Sequence, residues 1–225
     1  KPIYIHESDT VWGLANKLVS KLATKVFYTF PNKKIDHKKH ILSWQILGAR
    51  LLEWLWDIQV TENNRLQVLI IAGSQWSTAI FENMLKIIPD LADIDFTIIL
   101  GQKNQHFKAD FEAFSNVIIH EFVDQRELWT IYKQTDIAIT RGWATTLSEL
   151  YFFWIHAIII PLEKSAWNHQ QKNAEHFNAE YGSNILSENK QLSLEIFKLI
   201  NKYSSLRKAG LNLDNFFQGL KKIET

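Results

Sequence analysis

The chain has 225 residues, enough for one large domain or two smaller ones. With 46% hydrophobic and 22% charged residues it reads as a globular chain with a real core, not a disordered or low-complexity one. A net charge of +1 offers no field for nucleic acid, the lack of cysteine excludes disulfides and thiolate metal sites, and no apolar run approaches the ~18 residues of a membrane span.

Lys1 stands first and residues 2–6, PIYIH, already read as a strand, so the chain is expected to begin inside a larger protein. Residues 11–22, VWGLANKLVSKL, carry apolar side chains at helical spacing. Residues 25–30, KVFYTF, read as a second strand that Pro31 stops. PNKKIDHKKH (31–40) is a polar loop with a basic run, and TENNRLQ (61–67) is the best domain edge. From there the pattern becomes regular. Strands are expected at 67–72, 95–100, 117–120, 135–140, 156–160 and 183–186. Helices are expected at 77–88, 126–134, 144–153, 168–180 and 190–203, with a terminal amphipathic helix at 212–223. Apolar strands alternating with helices predict a doubly wound, Rossmann-like parallel sheet covered on both faces.

In such sheets ligands bind outside the carboxyl ends of the strands, and three loops there look specialised. Gly73-Ser74-Gln75 leads from a strand into a helix, a turn whose free N–H groups and helix dipole suit an anion. TRGWATTLSEL (140–150) sets Thr145, Thr146 and Ser148 near a helix start. Glu149 there can bind a ribose diol through two hydrogen bonds or simply complement the dipole. After Pro161, Asn168, His169, Gln170 and Asn173 open another helix; amides both donate and accept, which suits sugar hydroxyls. His169 and His176 share a face, but no third ligand follows at metal spacing. Asp93 and Asp95 read as a surface turn.

Four motifs occur in order: AGSQW (72–76), FVD (122–124), RGWATTLSE (141–149) and NHQQKNA (168–174). With IHESDTVWGLANKLVSKLATKVFYTFP (5–31) they make the chain resemble the MurG-type UDP-N-acetylglucosamine transferases, whose donor half is the family-28 glycosyltransferase C-terminal domain. The resemblance implies a glycosyltransferase-B fold, with residues 1–60 the tail of the acceptor-binding domain and 61–225 the UDP-sugar-binding domain. It implies transfer of GlcNAc from UDP-GlcNAc to a polyprenyl-linked muramoyl-pentapeptide in peptidoglycan synthesis, by a cytoplasmic enzyme peripheral on the inner membrane face. The alternative is a non-catalytic donor-binding subunit that needs a separate acceptor-binding partner. By the same resemblance Ser74 and Gln75 approach the diphosphate, Val123 lies beside the uracil, Thr145 and Thr146 flank the diphosphate, and Glu149 holds the ribose. His169 and Gln170 face the GlcNAc, with Asn173 nearby. The candidate general base belongs to a front segment that this chain lacks. No cofactor or metal is implied. Two departures stand out: Asp9 where the family has an acceptor-side Asn, and Gly48 in SWQILGAR (43–50) where it has an arginine.

Glycine is scarce and tryptophan abundant, 8 and 9 residues. Against the resemblance, Trp44, Trp76, Trp143 and Trp154 fall on glycine positions, and Trp12 and Trp167 join them. Glycine at all six would bring the counts to 14 and 3, close to ordinary usage. The hypothesis is that the gene uses UGA for glycine and was read with a table that gives tryptophan; TGG codons at 76 and 143 would end it.

Overall fold

The computed structural model describes residues 1–30, 38–43, 45–46, 63–73, 77–163, 165 and 168–208. Trp44, Gly48, Ser74, Gln75, Trp76 and Trp167 lie outside them, as do the expected terminal helix and the domain edge at residue 61.

Two parallel sheets are present among the described residues. A small one joins β1 (Tyr4–Glu7), β2 (Lys25–Tyr28) and β3 (His40–Leu42) in that order, with helix α1 (Leu14–Val19) between the first two strands. The larger sheet has the order β6-β5-β4-β7-β8-β9, and all its neighbours run parallel. Its strands are β4 (Gln67–Ile71), β5 (Asp95–Ile99), β6 (Val117–His120), β7 (Ile137–Thr140), β8 (His156–Ile159) and β9 (Asn184–Ile185). Its helices are α2 (Thr78–Ile87), α3 (Lys108–Glu112), α4 (Gln125–Gln134), α5 (Ala144–Phe152), α6 (His169–Tyr181) and α7 (Leu192–Lys208). The doubly wound parallel architecture expected from the alternation is the one observed.

The strands are apolar on both faces because both faces are covered. Val68, Ile70, Ile137, Ile139 and Ile158 point into one core with Ile80, Phe81, Met84, Ile196 and Ile200. Leu69, Ala138, Ala157 and Ile159 point the other way, onto Trp129, Tyr132, Leu147, Leu150 and Phe177. The period-two alternation of a strand sorts each side chain to one layer. Phe30, just past β2, joins the second core and packs edge-on against Phe177, ring centroids 5.9 Å apart. The small sheet is thereby anchored to α6.

Two features differ from the expectation. His40–Leu42 is an edge strand, not the end of a loop; with Ile41 and Leu42 both exposed it lacks the buried alternation that marks a strand. A 3₁₀ stretch (Gln102–Phe107) and the short α3 follow β5, where only Phe107 and Phe111 carry a helical spacing.

The two ends of α5 and α6 are instructive. Gly182 closes α6 in the left-handed region, φ 69°. Trp154, just after α5, has φ 60°, also left-handed. A glycine takes that conformation freely, whereas a side chain is strained there. Trp154 is half exposed and touches Tyr151, ring centroids 5.5 Å apart, so it buries little in return. Relief of the left-handed strain (about 1–2 kcal/mol) exceeds the extra unfolded-state freedom of glycine (about 0.4–1 kcal/mol). Trp154→Gly is therefore expected to raise the melting temperature by about 2–4 °C. A lower melting temperature in a thermal scan would refute this.

Candidate functional site

The site is built where the large sheet reverses its order. β4 and β7 are neighbours, with Ile71 opposite Thr140. The chain leaving β4 passes through α2 to β5 on one side, and the chain leaving β7 passes through α5 to β8 on the other. The two connections diverge, and in such sheets the ligand crevice is expected between them, above the strand ends.

At the first corner Gly73 has φ +79°, a conformation that favours glycine. Ser77 closes the turn below, its hydroxyl donating to the carbonyls of Ala72 (2.9 Å) and Gly73 (3.1 Å). At the second corner Arg141 is buried; its guanidinium donates to the Ile160 carbonyl at 3.0 Å and pairs with Glu188 at 2.5 Å. Gly142 follows, and here the backbones touch. A Cβ on Gly142 would stand 2.2 Å from the Gln170 carbonyl oxygen. Trp143 then occupies the N-cap of α5 and provides no side-chain cap.

Gln170 and Asn173, both buried, hold this second corner from α6. The Gln170 side-chain oxygen accepts from the N–H of Gly142 (3.3 Å) and of Leu162 (3.0 Å). The Asn173 amide nitrogen donates to the Gly142 carbonyl (3.0 Å) and to the Asp9 carboxylate (2.8 Å). Its oxygen accepts from the N–H and hydroxyl of Thr10, at 3.0 and 2.8 Å. One side chain thus ties the loop after β1 to the loop after β7. Glu7 shapes that first loop, accepting from the N–H groups of Asp9 and Gly13 and from the Asn16 amide, at 3.1, 3.0 and 3.0 Å.

The indole of Trp143 lies across the crevice. Its nitrogen is 3.2 Å from where a Cβ on Gly73 would stand, and its ring is 5.7 Å from that of His169. The side chain therefore reaches from the Gly73 backbone to the start of α6.

The expected site residues fall as follows. Thr145 is exposed and Thr146 half-buried in the first turn of α5, beside the second corner. Glu149 lies one turn further along α5, and the Tyr132 hydroxyl donates to it at 3.0 Å. Burial pushes the Glu149 carboxyl up, and the bond from Tyr132 pulls it back. Val123 is half-buried against the second core, in the loop that Asp124 ends by capping α4; its carboxylate accepts from the Glu127 N–H at 2.8 Å. His169 borders the crevice, whereas the amides of Gln170 and Asn173 are engaged by the protein. Ser74 and Gln75 lie outside the described residues. Sequence reasoning missed Tyr132, which at three residues from Trp129 reads as an ordinary core position, and Thr10, which no local spacing connects to Asn173.

A family model, the glycosyltransferase family 28 C-terminal domain, matches residues 67–216. The UDP-N-acetylglucosamine–N-acetylmuramyl-(pentapeptide) pyrophosphoryl-undecaprenol N-acetylglucosamine transferase of Sulfurihydrogenibium sp. is 30% identical over 199 residues, covering 88% of this chain and 55% of that protein. The protein of the same name from Thermotoga sp. (strain RQ2) is 30% identical over 206 residues, covering 89% and 57%. The chain thus spans about half the length of the curated relatives it matches. Among solved structures, MurG of Acinetobacter baumannii superposes with a TM-score of 0.64 at 19% identity, over 99% of this chain and 67% of that one. The UDP-GlcNAc 2-epimerase of Neisseria meningitidis, bound to UDP-GlcNAc, gives 0.70 at 13%, over 99% and 68%. At these identities the two structures speak for a shared fold.

Proposed function

Because the chain belongs to glycosyltransferase family 28, through the C-terminal domain at residues 67–216, we propose that its six-stranded unit is the donor half of a UDP-GlcNAc-dependent transferase. The acceptor in this reading is a polyprenyl-linked muramoyl-pentapeptide, as in the names of the relatives, presented at the inner face of the membrane. No helix among the described residues is long and apolar enough to cross a membrane.

The observation that carries the reading is the meeting of Gly73 and Gly142 at the order reversal of the sheet, with a half-buried carboxylate, Glu149, one turn up the adjoining helix. Two helix starts that lack side-chain caps, those of α2 and α5, flank the crevice. Their N–H groups and dipoles suit the diphosphate. Transfer with inversion has the acceptor hydroxyl attack the anomeric carbon while UDP departs. Negative charge then grows on the β-phosphate, and fixed N–H groups stabilise that charge more than the ground state. Thr145 and Thr146 add hydroxyl donors beside the same phosphates. His169, at the mouth, faces the sugar. Gln170 and Asn173 serve the sugar indirectly, by fixing the corner on which it rests. The general base comes from the acceptor half.

Calorimetry with UDP-GlcNAc, UDP-glucose and an ADP-sugar tests this, on the chain carrying glycine at 76 and 143. Binding of UDP-GlcNAc in preference to both others is expected. A folded protein that binds none of them would overturn the reading.

A further inference from the structure

Tyr132 lies in the last turns of α4 and is 1% exposed. Its ring packs on Phe153, centroids 5.3 Å apart, and belongs to the second core. Packing alone needs no hydroxyl; phenylalanine would fill the same volume. The hydroxyl instead reaches across to α5 and donates to one carboxylate oxygen of Glu149 at 3.0 Å. A buried hydroxyl without a partner is costly, so the pair is held together from both sides. Among the described residues the carboxylate has no second hydrogen-bond donor, so its other oxygen keeps its lone pairs for an outside donor.

We propose that Tyr132 is the positioning residue of the ribose site, fixing the rotation of the Glu149 carboxylate so that it accepts from the ribose hydroxyls. The proposal rests on the reading of Glu149 as the ribose-binding carboxylate. Its chemistry is specific. A neutral carboxylic acid keeps fewer acceptor sites than a carboxylate, and burial drives Glu149 toward the neutral form. The hydrogen bond from Tyr132 favours the ionised form and opposes that drive. Among the described residues Tyr132 is the one titratable group that bears on Glu149, and it is itself kept protonated by burial and by the neighbouring carboxylate. Arg141, the nearest cation in sequence, is engaged with Glu188 and the Ile160 carbonyl. Discrimination for a ribonucleotide over its 2′-deoxy counterpart therefore depends on a residue that never touches the ligand.

The test uses the chain with glycine at 76 and 143 as parent, and compares UDP with 2′-deoxy-UDP by calorimetry at pH 7. The parent should prefer UDP by about tenfold, the worth of one charge-assisted hydrogen bond. Tyr132→Phe should reduce that preference to about threefold or less. UDP-GlcNAc, whose phosphates carry no titrating proton near neutrality, gives the pH profile. Loss of the Tyr132 donor raises the Glu149 pKa, so the rise of affinity with pH should move to higher pH in Tyr132→Phe. Glu149→Gln should flatten the profile and abolish the ribose preference, and it keeps the test decisive should the phenylalanine variant be poorly folded. A purely structural role for Tyr132 would lower the melting temperature while leaving both the preference and the profile as in the parent, and that result refutes the proposal. Preference unchanged in Glu149→Gln refutes it as well. A parent that binds no UDP at all would instead remove the donor-site reading, and this proposal with it.

Discussion

Trp143→Gly is expected to increase the affinity for UDP-GlcNAc by about 5- to 150-fold, measured by calorimetry on otherwise identical chains. The indole stands within contact distance of Gly73 and against the His169 ring, in the space between the two strand-to-helix corners. A diphosphate gripped there must displace it. Displacement means moving a ring that is only 38% exposed into solvent, or distorting the corner that Gly142 and Asn173 hold rigid. Either costs about 1–3 kcal/mol, the scale of an overpacked site, which converts to the stated range. The sequence reading places Trp76 at the companion corner, so a second substitution there should add to the first. Glycine at 143 also returns conformational freedom at the N-cap of α5, where glycine is tolerated nearly as well as a capping residue. Unchanged affinity in Trp143→Gly would show that the indole does not lie where the nucleotide binds.

Gly142→Ala is expected to be the most damaging single methyl group in the described structure, with a loss of about 3 kcal/mol or more. The new Cβ would meet backbone atoms of Gln170 at 2.2, 2.8 and 2.9 Å, and a helix backbone cannot rotate out of the way as a side chain can. Relief requires the start of α6 to shift away from the β7–α5 corner. That shift lengthens the bonds from Gly142 to Gln170 and from Asn173 to Gly142, and through Asn173 it disturbs Thr10 and Asp9. A domain stable by about 5–15 kcal/mol would lose a large share of its margin. Chemical denaturation reads the loss directly. Gly13→Ala is the control, since a Cβ there meets nothing within 4 Å, and its stability should stay within about 0.5 kcal/mol of the parent. Equal stability of the two variants would contradict the close packing of α6 on the second corner.

The fold was legible because the signals were long and agreed with one another. The runs that became β4 and β7 are apolar at every position a two-faced sheet must bury, and each is followed by helical spacing after a turn, whereas β5 leads into a 3₁₀ stretch and a short helix with too few apolar positions to announce them. β3 was not legible: three residues on an exposed edge, two of them apolar and both at the surface, carry no periodicity. The corners were legible from Gly73 and Gly142 and from the order of the motifs. The hydrogen bonds the amides make within the protein were not. Asn168, Gln170 and Asn173 have the chemistry of sugar ligands, yet all the hydrogen-bonding capacity of Asn173 is taken up inside the protein. Its partner Thr10 is 163 residues away, a distance that helical spacing cannot bridge. Tyr132 shows the same limit from the other side, because its apolar spacing hides a polar duty. Trp154 is the opposite case, where the resemblance points to glycine and the backbone, at φ 60°, independently asks for one.

The most direct test is a crystal structure of the chain with glycine at 76 and 143, soaked with UDP-GlcNAc. The diphosphate should lie within hydrogen-bond reach of the main-chain amides at both the β4–α2 and β7–α5 corners, with the ribose hydroxyls on Glu149. Density for uridine and phosphates elsewhere on the protein, with both corners empty, would contradict the account.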